Sequence, residues 1–147
     1  MLNHIDEISG IGLHLDLVLR KVQDAYLKKF KELNIDLTIE QWVILYRIHQ
    51  LSNDVSQSDI VKSNFRNRAT TSRVIGGLER KGWITKTRFE GDLKRFKLEL
   101  TSKGREVIGT VEPHANLLRK QAIKGLDTKE FEIFLRVLDQ IGENYNG

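Results

Sequence analysis

"RNRATTSRVIGGLERKGW", residues 66–83, decides the fold. At 100° per residue, Asn67, Thr71, Val74, Ile75, Leu78 and Gly82 fall on one side of a helix. Ala69, Ser72, Arg73, Gly76 and Arg80 fall on the other. The stretch therefore reads as a helix with an apolar underside and a small, basic outer face. Asn67 fits its N-cap, and Gly82 its stop after Lys81. Gly76 and Gly77 stand side by side near the middle, although glycine in a helix interior costs ~1 kcal/mol relative to alanine. Two readings of the pair stay open. Either the small stripe lets the helix backbone approach a partner closely, or the glycines are tolerated because the helix is anchored from below.

Working outward, "SNDVSQSD" before this helix reads as a loop ending at Ser56, an N-cap that opens a short helix. Thr38 and Gln41 have capping-box spacing and start a helix running through Leu51. Further back, apolar residues recur every three or four positions from Ile8 to Leu33, which predicts a long amphipathic helix over roughly Asp6 to Leu33. After Trp83 the period changes. Ile84 to Phe89 is rich in β-branched residues, and Phe96, Leu98 and Leu100 alternate with Arg95, Lys97 and Glu99. With the turn residues "EGDL" between them, the two runs predict a hairpin. Thr101 caps a further helix that Pro113 is expected to bend. Asp127 with Glu130 caps a last one, with an apolar stripe of Phe131, Phe134, Leu135, Leu138, Ile141 and Tyr145.

The order is helix, helix, short helix, basic helix, hairpin, helix, helix. A short helix followed by a basic helix forms a helix-turn-helix, and the hairpin makes it a winged one. The fold class is thus mainly α with a small β-hairpin wing.

Charge follows the same division. The chain has a net charge of +4, yet residues 55–105 hold 13 lysines and arginines against 5 acidic residues, while the remainder holds 11 against 15. A basic middle between acidic flanks points to a polyanionic partner. The 147 residues suit one domain, 39% hydrophobic and 30% charged. The absence of cysteine removes disulfides and thiolate chemistry and suits a reducing compartment. No signal core or run of about 18 apolar residues is present, so the default location is cytoplasmic, with no membrane partner.

In a winged helix-turn-helix the second helix enters the major groove of duplex DNA and reads base edges from its N-terminal half. Arg68, Thr70, Ser72 and Arg73 are placed to do this, since arginine can bond guanine bidentately and hydroxyls can bond bases or phosphates, while Arg66 in the preceding turn is a candidate phosphate contact. Arg88, Lys94 and Arg95, with Lys86 as a further candidate, would let the wing reach the minor groove.

These residues resemble the MarR family of winged helix-turn-helix transcriptional regulators. The resemblance rests on "LTIEQWVIL" at Leu37 to Leu45, "SQSDIV" at Ser56 to Val61 and "RATTSR" at Arg68 to Arg73. It continues through "LERKGWI" at Leu78 to Ile84, "GD" at Gly91 and Asp92, and "LTSKG" at Leu100 to Gly104. It implies a single domain over 1–147, with dimerisation helices at 1–36 and 106–147 and a DNA-binding lobe at 37–105. It further implies a homodimer on a pseudo-palindromic operator, acting as a repressor released by a small phenolic or other aromatic ligand. Three departures stand out. Gly76 and Gly77 replace a polar pair that is often Asp-Arg in the family, and Asp92-Leu93-Lys94-Arg95 replaces a wing Asp-x-Arg. Asn64-Phe65-Arg66 replaces Leu-Gly-Leu in the turn, where Phe65 is expected to pack in place of leucine.

For an effector, His14, Trp42, Tyr46 and His49 are the candidates, with a core role for Trp42 and Tyr46 as the competing reading. The four histidines lack metal-site spacing, and no Ser/His/Asp grouping or carboxylate pair stands out. Neither a metal, a cofactor nor an enzymatic activity is therefore expected. The alternative function is a winged-helix protein-interaction module that has lost specific DNA binding.

Overall fold

The computed structural model describes residues 10–51, 54–63 and 67–146. Their elements run α1 (Ile11–Glu32), α2 (Ile39–Leu51), α3 (Gln57–Ser63), α4 (Arg68–Arg80), β1 (Ile84–Phe89), β2 (Asp92–Leu100), α5 (Ser102–Ala122) and α6 (Thr128–Glu143). This is the expected winged helix-turn-helix flanked by terminal helices. The first predicted helix begins at Ile11 within the described residues; its forecast start at Asp6 lies outside them.

Most helix ends are fixed by the residues the sequence offers for the purpose. The Asn67 side chain accepts from the Thr70 amide at 2.8 Å, and Thr101 Oγ1 accepts from the Gly104 amide at 3.1 Å. Thr38 and Gln41 bond reciprocally at 3.0 and 3.2 Å, as do Asp127 and Glu130 at 2.8 and 3.2 Å. At C-termini, Asn34 (φ 58°) and Gly82 (φ 74°) take the left-handed conformation. The amides of Ile35 and Trp83 then reach back to the carbonyls of Phe30 and Leu78, at 3.0 and 3.1 Å, which satisfies groups a helix end would otherwise leave unpaired.

Helix α5 runs unbroken through Pro113. Its first turn is pressed against the end of α4: Thr101 N donates to the Trp83 carbonyl at 3.0 Å, and Thr101 Oγ1 donates to the Gly82 carbonyl at 2.7 Å. Gly104 makes this approach possible, because a Cβ there would lie 2.1 Å from the Trp83 carbonyl oxygen. The core forms where these elements meet. Ile44, Leu45 and Ile48 of α2 pack with Val74, Ile75 and Leu78 of α4, Ile84 and Leu98 of the hairpin, Ile60 of α3 and Ile108 and Val111 of α5. From α1 only Phe30 is buried, and no described residue of α6 is.

Residues 55–56, within the expected loop, are instead extended. Ser56 bridges Lys97 in antiparallel register, and Leu98 N donates to the Val55 carbonyl at 2.8 Å. This third, one-bridge strand ties the wing to the entrance of α3. Among the described residues, no helix is long and apolar enough to cross a membrane.

Candidate nucleic-acid interface

The basic face is assembled from α3, α4 and the hairpin. Ser56 and Asp59 cap α3 reciprocally, each backbone amide donating to the other's side chain at 3.0 Å. Those Ser56 hydrogen bonds hold the Asp59 carboxyl below its usual range, with Arg95 and Lys62 adding to the effect. From the first turn of α3, Gln57 Nε2 donates to Ser72 Oγ at 2.7 Å, which locks α3 to the outer face of α4. Among the described residues, the buried Gln57 Oε1 has no hydrogen-bond partner.

On α4, Thr71, Val74, Ile75 and Leu78 point inward and are buried, while Arg68, Ala69, Arg73 and Arg80 are exposed. Thr70 is half-buried and supplies the amide that Asn67 caps, so its backbone is committed to the helix start. Ser72 is half-buried and shares its hydroxyl with Gln57. Arg66 lies outside the described residues, as do Asn64 and Phe65. Gly77 faces α2: a Cβ there would sit 3.3 Å from Gln41 Nε2. Gln41 also accepts from Lys81 Nζ at 2.8 Å, and Lys81 donates to the Asp36 carbonyl as well.

In the wing, Phe89 pairs with Asp92 across Glu90 and Gly91, and the register shifts between Arg88 and Phe89. Residues 93–95 are therefore surplus on one strand and project at the tip. Asp92 Oδ1 accepts from the Lys94 amide at 3.0 Å and fixes this bulge. The wing cations lie on rings: Lys86 Nζ is 4.1 Å and the Arg88 guanidinium 4.9 Å from the Phe96 centroid, and the Arg95 guanidinium is 4.4 Å from that of Phe89. Such stacking limits the freedom of long side chains at ~0.5–1 kcal/mol for exposed pairs. The wing base is held by Lys97, whose ammonium is stabilised first by its hydrogen bond to Asp54, at 3.2 Å, and then by the charge of Glu99.

Between α4 and the wing lies a groove of about 380 Å³. Arg68, Ser72, Lys86, Lys94 and Arg95 line it together with Ser56, Gln57 and Phe96. Four cations from three elements thus converge on one concave surface, the arrangement expected of a polyanion contact. Of the residues forecast for this role, Arg68, Ser72, Lys94 and Arg95 line the groove; Arg73 is exposed on α4 and Arg88 rests on Phe96. Gln57 and Lys86 complete it. Nothing in the local spacing of Gln57 marks it, because its contact with Ser72 spans 15 residues.

A second cleft, of about 470 Å³, lies between α1, α2 and α5. Its floor is aromatic: the rings of Trp42 and Tyr46 stack at 5.1 Å, and the Arg119 guanidinium lies 5.1 Å from the Tyr46 centroid. Tyr26, Leu19, Val22 and Arg47 add to the walls. Trp42 is nonetheless a core residue, 5% exposed. Neither forecast histidine lines the cleft: His49 borders Tyr46 at 5.9 Å and sits 3.7 Å from Glu112, and His14 is half-buried on α1.

Comparison with known proteins places this geometry. Residues 37–96 match the sequence profile of the MarR family. The chain superposes on Staphylococcus aureus MepR from its DNA complex with a TM-score of 0.81, at 20% identity over 90% of this chain and 96% of that one. It also superposes on a protein from Listeria monocytogenes assigned to the MarR family, in complex with a 26mer DNA, with a TM-score of 0.73 at 26% identity over 98% and 89% of the two chains. Bordetella bronchiseptica BpsR, whose DNA binding is regulated by 6-hydroxynicotinic acid, gives a TM-score of 0.79 at 20% identity over 97% and 98%. Residues 37–96 thus carry a MarR-type sequence, and the chain along its length is similar in fold to these MarR-family structures.

Proposed function

We propose that this protein is a dimeric, sequence-specific regulator of transcription that binds double-stranded DNA at a pseudo-palindromic operator. The observation that carries the reading is the convergence of Arg68, Lys86, Lys94 and Arg95 on the groove beside the outer face of α4. Arg68 and Arg73, at the N-terminal half of α4, take the base-reading positions of a recognition helix. The wing cations take the flanking phosphates or the minor groove. The relatives from S. aureus and L. monocytogenes, both in DNA complexes, support this use of the fold.

Dimerisation falls to residues 1–36 and 106–147. Phe134, Leu135 and Ile133 of α6 are 48%, 45% and 46% exposed, and Leu17, Val18 and Leu19 of α1 are similarly bare. An apolar surface of this extent marks a subunit contact. The aromatic cleft is the candidate effector site, with Trp42 and Tyr46 as stacking surfaces and Arg47 and Arg119 as partners for a carboxylate or phenolate. BpsR supplies a relative regulated by an aromatic acid. Ligand binding there would bias the lobes away from the operator spacing, so the protein acts as a repressor released by its ligand.

Salt dependence of duplex binding tests the DNA reading. Contact with several phosphates predicts saturable binding that weakens with a log–log slope of roughly −0.9 per phosphate. No saturable binding at low salt would overturn it and leave a protein-interaction module.

A further inference from the structure

The glycine pair of α4 is occupied from outside. Building a Cβ on Gly76 would place it 3.4 Å from one terminal nitrogen of Arg80, and a Cβ on Gly77 would lie 3.8 Å from the other. The Arg80 guanidinium therefore folds back along its own helix and lies over the pair. Side chains on a helix lean toward its N-terminus, so a residue four positions on reaches this place without strain. A larger side chain at position 76 would compete for the same space. Arg80 is exposed, and among the described residues no salt bridge holds it.

Its direction follows from the helix. Arg73 and Arg80 are seven residues apart, about 20° short of two full turns, so they share one outward stripe with Gly76 between them. That stripe is opposite the buried Thr71, Ile75 and Leu78. Folding back shifts the Arg80 charge by about a turn toward Arg73, into the part of the stripe that carries no side chain of its own.

We infer that Arg80 is a DNA-backbone contact residue, seated over Gly76 and Gly77, which supplies from the C-terminal half of α4 a phosphate contact continuous with Arg73. This rests on the DNA-binding reading above. It also bears on the two readings of the glycine pair: the space above them is filled by a guanidinium, so the backbone there is not pressed onto DNA.

The test is duplex binding by the full chain at several salt concentrations, on a site selected from random duplexes by the native protein. Arg80→Ala is expected to weaken binding about tenfold and to lower the salt slope by roughly 0.9, across specific and random duplexes alike. Arg80→Lys should retain the slope, and Lys28→Ala, on the exposed face of α1, should change neither quantity. Gly76→Ala should leave binding unchanged, since its methyl meets the guanidinium at ordinary contact distance. An Arg80→Ala variant with native affinity, or one weakened at unchanged slope, would overturn the inference alone. Weaker binding by Gly76→Ala would also overturn it, in favour of close backbone approach. Failure of the native chain to bind any duplex would instead fall on the functional reading itself, and this inference with it.

Discussion

The winged lobe and the terminal helices carry the same kind of sequence signal and end in opposite states. In the lobe, the apolar stripe of α4 is closed over by its own chain: Ile75 and Leu78 are 1% and 0% exposed. On α6 an equally regular stripe is left bare, with Phe134 at 48%. Periodicity announces a helix with one apolar face in both cases. It does not say whether the covering surface belongs to the same chain. The lobe's stripes find each other because short, capped turns bring α2, α4 and the hairpin together around Ile44, Leu45 and Leu98. The terminal stripes are left uncovered by the lobe, and the proposed dimer would cover them with a second copy.

The largest expected effect follows from placing a charge on the bare face. Phe134→Asp should convert the dimer to a folded monomer in sedimentation and lower operator affinity by at least ~100-fold, because the second half-site contact is no longer intramolecular. A variant that stays dimeric would remove α6 from the interface and weaken the contrast between the two regions. Next comes a defect inside the lobe. Gly104→Ala puts a methyl where the Trp83 carbonyl stands, at 2.1 Å, and should destabilise the chain by ~1–3 kcal/mol in urea denaturation. An unchanged midpoint would mean that α5 shifts freely against the end of α4, contrary to a closed lobe.

A smaller effect separates the two glycines. Gly76→Ala should stabilise the chain by up to ~1 kcal/mol, through helix propensity alone. Gly77→Ala should gain less, since its methyl meets Gln41 Nε2 at 3.3 Å. Equal gains would show that α2 and α4 are not as closely apposed as Gln41 indicates. The smallest effect is at Asp59. Its folded-state carboxyl titrates below its ordinary value of 3.8, so the stabilisation it gives is complete above that value and is lost as the pH falls below it. Asp59→Asn should therefore flatten the acid limb of the stability profile below about pH 4; an unaltered limb would assign the acid sensitivity elsewhere.

Much of the lobe was legible because its boundaries are local. Thr38, Ser56, Asn67, Thr101 and Asp127 each cap a helix through a residue three positions on, and Gly82 ends one in the conformation that glycine favours. The site was legible in its charges and not in its assembly. Arg68, Ser72, Lys94 and Arg95 stand out as basic or hydroxyl residues near a helix and a hairpin, but their convergence depends on the Gln57–Ser72 bond and on the Val55–Leu98 pairing. Those contacts join residues 15 and 43 positions apart, and "DVS" is too short to carry a strand pattern. Gly104 shows the same limit. Its need to be glycine comes from a carbonyl 21 residues away that no local period encodes.

If two lobes read DNA while the terminal helices set their spacing, the preferred binding site must carry that spacing. Selection of bound sites from a pool of random duplexes, followed by footprinting on the enriched sequence, tests this most directly. The prediction is an inverted repeat whose half-sites lie about one DNA turn apart, roughly 10 base pairs centre to centre or a multiple of it, with both halves protected. Enrichment of a single unrepeated site, or of no sequence at all, would contradict it.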